Sequence, residues 1–206
     1  MSSVSIRFTF CRSSPTARSA FSNKMIPLTL SYSFWQKNQI FEADKYSSMM
    51  NTIKFSNAEL LRTTSENTDF RSMVNALDED LILRNGETQK LYHQYNKIDH
   101  INHAVVVYIE NKPVGCGCFK LFDDQTIEVK RMFVLPEMRG RQIAARLLEE
   151  LEKWAIEEGF SRAVLETGRR QVEAIRLYTR AGYSLTENYG QYIGMEDSIC
   201  YRKELK

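Results

Sequence analysis

Two arginines and a glycine stand together where the chain changes from a strand pattern to a helix pattern. The run is Glu137-Met138-Arg139-Gly140-Arg141-Gln142-Ile143-Ala144, directly after Val134-Leu135-Pro136. A helix start exposes backbone N–H groups and the positive end of the helix dipole, and guanidinium groups add charge-assisted donors. This combination predicts a binding site for an anion such as a pyrophosphate. The alternative interpretation is an ordinary charged turn in contact with solvent.

The composition of this turn argues against two common nucleotide sites. It contains neither the Gly-Lys-Ser/Thr sequence of a Walker loop nor the three-glycine spacing of a dinucleotide fingerprint. ATP and NAD are therefore not predicted as ligands.

The elements that must position this turn follow from the spacing of the apolar residues. Apolar positions three and four apart predict helices, whereas short β-branched runs between turn residues predict strands. Strands are expected at residues 59–63, 104–109, 114–122, 127–135, 163–165, 183–185 and 198–203, and helices at 66–83, 87–97, from Ile143 to the Gly159 cap, and at 171–181. The second, third and fourth strands should form an antiparallel meander. The helix that begins at Ile143 is expected to turn four acidic residues away from its apolar stripe: Glu149, Glu150, Glu152 and Glu157.

Length and charge restrict the class of protein and its partners. The 206 residues fit one domain with a tail, and 43% hydrophobic and 26% charged residues are typical of a globular chain. A formal net charge of +2 does not predict a nucleic-acid partner. No run of about 18 apolar residues occurs, so a membrane partner is not predicted either. The sequence leaves a monomer and a homodimer open.

The cysteines and histidines do not have the spacing of a disulfide framework or of a metal site. The cysteines stand at positions 11, 116, 118 and 200, and the histidines at 93, 100 and 103. We therefore expect reduced thiols and no bound metal. Cys116 and Cys118 share a predicted strand two residues apart, so both should point to the same face and fill the core.

The first 41 residues differ in composition from the rest of the chain. They contain five basic residues, nine serines and no carboxylate, whereas the remainder has 23 basic against 26 acidic residues. This is typical of an organelle transit peptide, but a disordered tail or an extension upstream of Met49 or Met50 would look the same. We expect residues 1–50 to lie outside the folded domain, which would occupy residues 51–206. The expected location is cytoplasmic, or an organelle if residues 1–41 are a transit peptide.

The turn, together with a downstream helix, resembles the GNAT superfamily of acetyl-CoA-dependent N-acetyltransferases. The family signature, Arg/Gln-x-x-Gly-x-Gly/Ala, is similar to residues 139–144, and its helix ending in Leu-Tyr-x-x-x-Gly-Phe/Tyr is similar to residues 171–183. The resemblance covers about residues 59–205. It implies an α/β (α+β) fold with a central mixed, mostly antiparallel, twisted sheet flanked by helices. It also implies acetyl-CoA as co-substrate and no metal.

The resemblance implies a set of cofactor-binding residues. The backbone of Met132, Phe133 and Val134 would hold the pantetheine arm of the cofactor and polarise its thioester. The pyrophosphate and the neighbouring parts of the cofactor would contact Arg139, Gly140, Arg141, Gln142, Ile143, Ala144, Gln171 and Tyr178. Gln142 stands where the family most often has glycine, so its side chain would crowd the pyrophosphate while its backbone N–H is retained. Gln171 stands where the family often has asparagine.

The resemblance also implies catalytic roles for two residues. Tyr178 lies where the family has its general acid, and a phenol stays protonated at neutral pH. Its alternative role is packing in an amphipathic helix. Glu128 lies where several members carry a general base. Its alternative role is an ion pair with Lys130. Because side chains alternate along a strand, Glu128, Lys130 and Met132 should share one face.

The function predicted from these residues is transfer of an acetyl group from acetyl-CoA to a primary amine in a ternary complex. No cysteine adjoins a histidine in sequence, so direct attack is favoured over a covalent acyl-enzyme. Tyr92, Tyr95 and the Asp78-Glu79-Asp80 cluster fall on the expected acceptor side, where the carboxylates would suit a cationic amine if they are not simply solvated. The rival hypothesis is a non-catalytic acyl-CoA-binding module.

Overall fold

A computed structural model describes residues 58–86, 98 and 100–206 of the chain. The strands of this part are β1 (Glu59–Thr63), β2 (His103–Ile109), β3 (Lys112–Asp123), β4 (Thr126–Val134), β5 (Arg162–Gly168), β6 (Ser184–Thr186) and β7 (Ser198–Glu204). Its α-helices are α1 (Thr68–Asn85), α2 (Ile143–Glu157) and α3 (Val172–Arg180), with 3-10 turns at Pro136–Met138 and Gly190–Tyr192. Predictions made for residues 1–57 and for the helix at 87–97 lie outside the described residues.

The seven described strands form one sheet in the order β1-β2-β3-β4-β5-β7-β6. All neighbouring pairs are antiparallel except β4 and β5, which run parallel. The sheet is therefore mixed and mostly antiparallel, and the expected meander of β2, β3 and β4 is present. The parallel pair is connected through α2, since parallel neighbours need a crossover.

Strands β4 and β5 pair over only part of their length. Their register runs from Thr126 opposite Arg162 to Val129 opposite Leu165. β4 continues to Val134 and β5 to Gly168, so the two strands separate beyond the paired stretch. The edge of β4 that faces β5 therefore lacks a strand partner from Lys130 onward.

A β-bulge in β4 changes which face its side chains occupy. Cys116 pairs with Phe133 and Cys118 with Lys130, so Gly117 of β3 lies opposite two residues of β4. Arg131 takes a left-handed backbone conformation at this point, with φ of 59°. As a result Met132 packs in the cluster that contains Ile127 and Val129. The expectation that Glu128, Lys130 and Met132 share one face is wrong, because the extra residue inverts the alternation.

The helices pack on both faces of the sheet. Phe70, Val74 and Leu77 of α1 form a cluster with Cys116 and Cys118 of β3, which confirms that the two thiols share a face and fill the core. Leu147, Leu148 and Leu151 of α2 pack in the cluster on the other face.

Two sequence predictions about the helices need correction. The α1 helix starts later than expected, because the side chain of Asn67 accepts a hydrogen bond from the Phe70 N–H and caps the helix there. Glu152 of α2 does not face solvent as predicted: it is 8% exposed, and Lys203 Nζ donates to it at 2.6 Å. The amphipathic pattern missed this burial because the paired lysine comes from β7.

Within the helices that the structure describes, none has enough length and apolar character to cross a bilayer.

Candidate functional site

A cavity of about 890 Å³ opens where α2 begins and where β4 and β5 separate. Its volume lies within the range of small-molecule sites. We call it the large cavity. Its lining includes every residue predicted to bind the cofactor: Met132, Phe133, Val134, Arg139, Gly140, Arg141, Gln142, Ile143, Ala144, Gln171 and Tyr178. The structure thus brings together residues from β4, the turn before α2, and α3; their role in binding a cofactor stays a prediction.

The turn before α2 is shaped by two left-handed residues. Gly140 has φ of 75° and Gln142 has φ of 60° with ψ of 8°. Gln142 occupies the position that caps α2, but its side chain makes no capping hydrogen bond and is exposed. The N–H groups of Ile143 and Ala144 in the first turn have no intrahelical acceptor and border the cavity. Glycine adopts a left-handed conformation without the penalty that glutamine incurs there, which explains why glycine suits position 142.

The two arginines of this turn differ in their contacts. The guanidinium of Arg139 donates from Nε to the Val134 carbonyl at 3.1 Å and from Nη2 to Asp80 at 3.3 Å, and it lies 5.8 Å from the Phe133 ring centroid. Arg141 is partly exposed and makes no ion pair with any residue in the described part of the chain. Arg141 is therefore the better placed of the two to donate to a bound anion. Arg139 joins the turn to α1 and already satisfies the backbone carbonyl of Val134.

A second cavity, of about 100 Å³, borders the same strand separation. We call it the small cavity. Both cavities are lined by Leu77, Leu81, Met132, Gln171 and Tyr178. A molecule in the large cavity and a molecule in the small cavity would therefore meet at these shared residues.

Tyr178 is fixed at this junction by the aromatic residues around it. It is 5% exposed, and its ring centroid lies 5.9 Å from that of Tyr183 and 6.3 Å from that of Tyr201. Burial, with a smaller contribution from the Glu166 carboxylate, raises the pKa of Tyr178 well above its ordinary value. The phenol is therefore protonated at neutral pH, so it can donate a proton as a general acid but cannot act as a phenolate base.

Glu166 is a site residue that the sequence reading missed. It lies near the end of β5, lines the small cavity, and accepts a hydrogen bond from the Ser198 hydroxyl at 2.6 Å. Burial raises the pKa of Glu166, although the Ser198 hydrogen bond and Lys130 oppose the shift. A carboxylate with a raised pKa beside a buried tyrosine is a candidate proton acceptor. Its position two residues before Gly168, where β5 ends near the predicted helix, was the signal that the sequence offered.

Glu128 occupies a different environment from the one expected for a base. It is 9% exposed and pairs with Lys130 Nζ at 3.3 Å. It also accepts a hydrogen bond from the Tyr189 hydroxyl at 3.2 Å. It is not among the described residues that line either cavity. Lys130 also donates to the Tyr192 hydroxyl at 2.9 Å. Burial tends to lower the pKa of Lys130, but Glu128 and Tyr192 raise it above its ordinary value, so the ammonium stays charged. The ion pair weighed as the alternative for Glu128 is present, although it is buried rather than at the surface.

Two carboxylates of α1 that were expected to attract a cationic amine are already paired. Asp78 accepts from Arg131 Nη2 at 2.7 Å. Asp80 contacts Arg84 at 3.0 Å and Arg139 at 3.3 Å. Neither carboxylate is available as a free negative charge for a substrate. Tyr92 and Tyr95, predicted on the same side, lie outside the described residues.

A loop between β6 and β7 borders the small cavity, and the side chain of Asn188 ties its backbone together. The Asn188 amide donates to the backbone carbonyls of Tyr192 and Met195 at 3.1 Å and of Ser198 at 3.3 Å. Asp197, near the end of this loop, lines the small cavity. The loop also supplies the hydroxyls that contact Glu128 and Lys130.

Comparison with known proteins identifies the family. The sequence model of the acetyltransferase (GNAT) family matches residues 70–183. The chain belongs to the GNAT family. This match, which extends from α1 through α3, confirms the resemblance found in the sequence.

Curated relatives match shorter stretches of the GNAT domain. The IAA acetyltransferase of Azospirillum brasilense is 44% identical over 80 residues, which cover 38% of this chain and 52% of that protein. N-acetyltransferase 8 of Homo sapiens is 34% identical over 82 residues, which cover 37% of this chain and 36% of that protein. The chain thus spans about half of the first relative and about a third of the second.

Solved structures confirm the GNAT fold. An acyl-CoA N-acyltransferase structure from Klebsiella pneumoniae superposes with a TM-score of 0.61 at 27% identity, covering 72% of this chain and 98% of that one. A GNAT acetyltransferase from Elizabethkingia anophelis with acetyl-CoA bound superposes with a TM-score of 0.52 at 17% identity, covering 72% and 99%. The predicted mixed sheet flanked by helices is therefore the GNAT arrangement.

The left-handed conformation of Gln142 predicts different effects for two substitutions. Gln142→Gly should raise the free energy of unfolding by about 0.5 to 1 kcal/mol, because glycine is not penalised at positive φ. Gln142→Ala keeps the penalty of a left-handed non-glycine residue, so it should not raise the free energy of unfolding. Both variants remove side-chain bulk and should tighten CoA binding a few-fold, measured by calorimetric titration. Unchanged CoA affinity in both variants would remove the crowding argument, and equal stability of both would remove the backbone argument.

The unpaired guanidinium of Arg141 predicts a large loss of cofactor binding when it is removed. Arg141→Ala should weaken CoA binding at least about tenfold, because a charge-assisted hydrogen bond contributes roughly 1.5 to 3 kcal/mol. Lys153→Ala, on the exposed part of α2 away from both cavities, is the matched control and should bind CoA as the wild type does. The loss should shrink as salt concentration rises. An Arg141→Ala variant with wild-type affinity would show that the phosphates bind elsewhere.

Proposed function

We propose that the chain is an acetyl-CoA-dependent N-acetyltransferase that transfers the acetyl group directly to a primary amine in a ternary complex. The observation that carries this proposal is the shared lining of the two cavities at Met132, Gln171 and Tyr178. Acetyl-CoA in the large cavity would present its thioester at this junction, where an amine in the small cavity can attack it. Holding two reactants in contact in this way supplies much of the rate enhancement of a transfer enzyme.

The proposed cofactor position follows the open edge of β4. Beyond Val129 this strand has no partner in β5, so backbone groups of Met132 and Phe133 on that edge would be open to the pantetheine arm. The carbonyls of Lys130, Arg131 and Val134 already accept hydrogen bonds from other side chains. The pyrophosphate would bind to the first-turn N–H groups of α2 and to Arg141. Gln171, whose Oε1 accepts from the Thr167 hydroxyl at 3.1 Å, would face the arm from the other side.

The proposed reaction needs a proton acceptor and a proton donor. The amine nitrogen forms a bond to the acetyl carbon, the C–S bond breaks, and the amide and CoA are the products. We assign Tyr178 as the donor to the departing sulfur. For the acceptor of the amine proton, Glu166 has better support than Glu128, because Glu166 lines the small cavity and Glu128 is held by Lys130 and Tyr189.

Direct transfer is supported by the state of the thiols. Cys116, Cys118 and Cys200 are buried and free, and none of them lines either cavity. Burial raises the pKa of all three, for Cys200 to about 11, so each is held as a poorly nucleophilic thiol. A covalent acyl-cysteine at this site is therefore not proposed.

Removal of the Tyr178 hydroxyl tests the donor role. Tyr178→Phe should lower kcat by about 10² or more, because general acid catalysis contributes that order of rate. Its affinity for CoA should stay within about twofold, since burial of the ring is unchanged. Tyr183→Phe is the matched control, because Tyr183 is also buried but lines neither cavity, and it should keep wild-type turnover. A wild-type protein that binds acetyl-CoA but releases no CoA with any amine would instead support the non-catalytic acyl-CoA-binding module.

The pH dependence of the reaction tests the acceptor role. In the wild type, kcat/KM corrected for the fraction of neutral amine should rise with pH through the raised pKa of Glu166, because only the ionised carboxylate accepts a proton. Glu166→Gln should lower kcat by about 10² or more and abolish that limb of the profile. The variant should also be at least as stable as the wild type above that pKa, since a raised carboxyl pKa means that ionisation costs folded-state stability. Glu128→Gln should keep the limb; a limb lost in Glu128→Gln and kept in Glu166→Gln would reverse the assignment.

A further inference from the structure

The charged side chains of the small cavity are arranged with one carboxylate inside and two guanidinium groups at the opening. Glu166 is half-buried and lies on β5 within the sheet. Arg169 and Arg170 are exposed and follow directly after β5, where the chain leaves the sheet. The buried part of the lining therefore contributes one carboxylate that has no ion-pair partner among the described residues, and the exposed part, which we call the opening, contributes two positive charges.

The two arginines at the opening keep their positive charge available. Arg169 is held in place because its Nε donates to the Glu196 carbonyl at 2.5 Å and its backbone N–H donates to the Asp197 carbonyl at 2.8 Å. These acceptors are backbone groups and carry no formal charge. Arg170 makes no ion pair with the residues that the structure describes. Asp197 supplies one negative charge at the opening against these two positive charges.

The other cationic side chains that line the small cavity do not add an uncompensated positive charge, because each has a carboxylate partner. Lys130 pairs with Glu128 at 3.3 Å, and Arg131 pairs with Asp78 at 2.7 Å. The ion pairs of Asp78 with Arg131 and of Asp80 with Arg84 leave neither aspartate free to bind a polycationic acceptor. The unpaired charges that remain suit an acceptor with a positive and a negative end.

The size of the small cavity limits how much of the acceptor can enter. Its volume of about 100 Å³ is well below the 300 Å³ or more of a typical cavity that encloses a drug-sized ligand. Only the amine and the few atoms next to it can be enclosed. An anionic group on the same molecule would then lie at the opening, beside Arg169 and Arg170.

We infer that the acceptor is a primary amine that carries a carboxylate, as in an amino acid or a short peptide. Its amino group lies toward Glu166 and its carboxylate binds Arg170, with Arg169 beside it. This inference rests on the proposed acetyl transfer and adds the chemical class of the acceptor. Arginine suits the role because its guanidinium can donate two parallel hydrogen bonds to a carboxylate.

The test compares acceptors that differ only in the carboxylate. Release of CoA is measured for free amino acids, for the corresponding amino-acid amides and for the amines that lack the carboxyl group, and each kcat/KM is corrected for the fraction of neutral amine. The full-length wild type should prefer the acid over the amide at least about tenfold, which is the effect of one charge-assisted hydrogen bond.

Two variants separate recognition by Arg170 from a general effect of charge. In Arg170→Gln the ratio of kcat/KM for acid to that for amide should fall about tenfold or more, because glutamine keeps a donor but loses the charge. In Arg202→Gln, an exposed arginine of β7 that lines neither cavity, the ratio should equal that of the wild type. Thermal unfolding of Arg170→Gln checks that its fold is intact.

The outcomes distinguish this inference from the function on which it rests. CoA release with equal kcat/KM for acids and amides would overturn the inference and leave the acetyltransferase activity standing. A preference for acids that Arg170→Gln does not reduce would also overturn it. Binding of acetyl-CoA without CoA release for any acceptor would overturn the proposed function itself.

Discussion

The separation of β4 from β5 is the constraint on which the rest of the site depends. Parallel strands stay paired only while both keep a matching register, and here the register ends at Val129 and Leu165. The bulge at Arg131 adds a residue to β4 and increases its local twist. Unpaired backbone in a protein interior is costly unless it finds other partners. The gap therefore leaves hydrogen-bonding groups that a bound molecule can satisfy, and both cavities border it.

Charge pairing divides the polar residues around this gap into structural and available groups. The pairs Lys130–Glu128, Arg131–Asp78 and Lys203–Glu152 are largely buried, and losing one partner would leave a charge without compensation. The second pair joins β4 to α1, and the third joins β7 to α2. Arg141, Glu166 and Arg170 remain available on the cavity walls. Residue type alone does not separate the two groups, because both contain arginine and glutamate side chains.

The sequence was sufficient for elements whose signal is local. Strand and helix periods gave nearly every described element, and the turn at residues 139–144 lies at the large cavity because its residues are neighbours in the chain. Contacts between residues that are far apart in the sequence could not be predicted from these local patterns. Asp80, 59 positions from Arg139, engages that arginine, and Ser198 meets Glu166 across 32 positions. The face of Met132 was mispredicted because a single extra residue in β4 inverts the alternation.

The contacts of Asn188 have a consequence for how this protein can change over evolutionary time. One amide holds three carbonyls of the segment that borders the small cavity through Asp197, and tyrosine hydroxyls of the same segment contact β4. Side chains such as Ile193, which is 71% exposed, take no part in this anchoring. The loop can therefore accept new residues while one asparagine preserves its path. The residues of this border of the small cavity can therefore change one at a time, without alteration of the sheet or of the turn at α2.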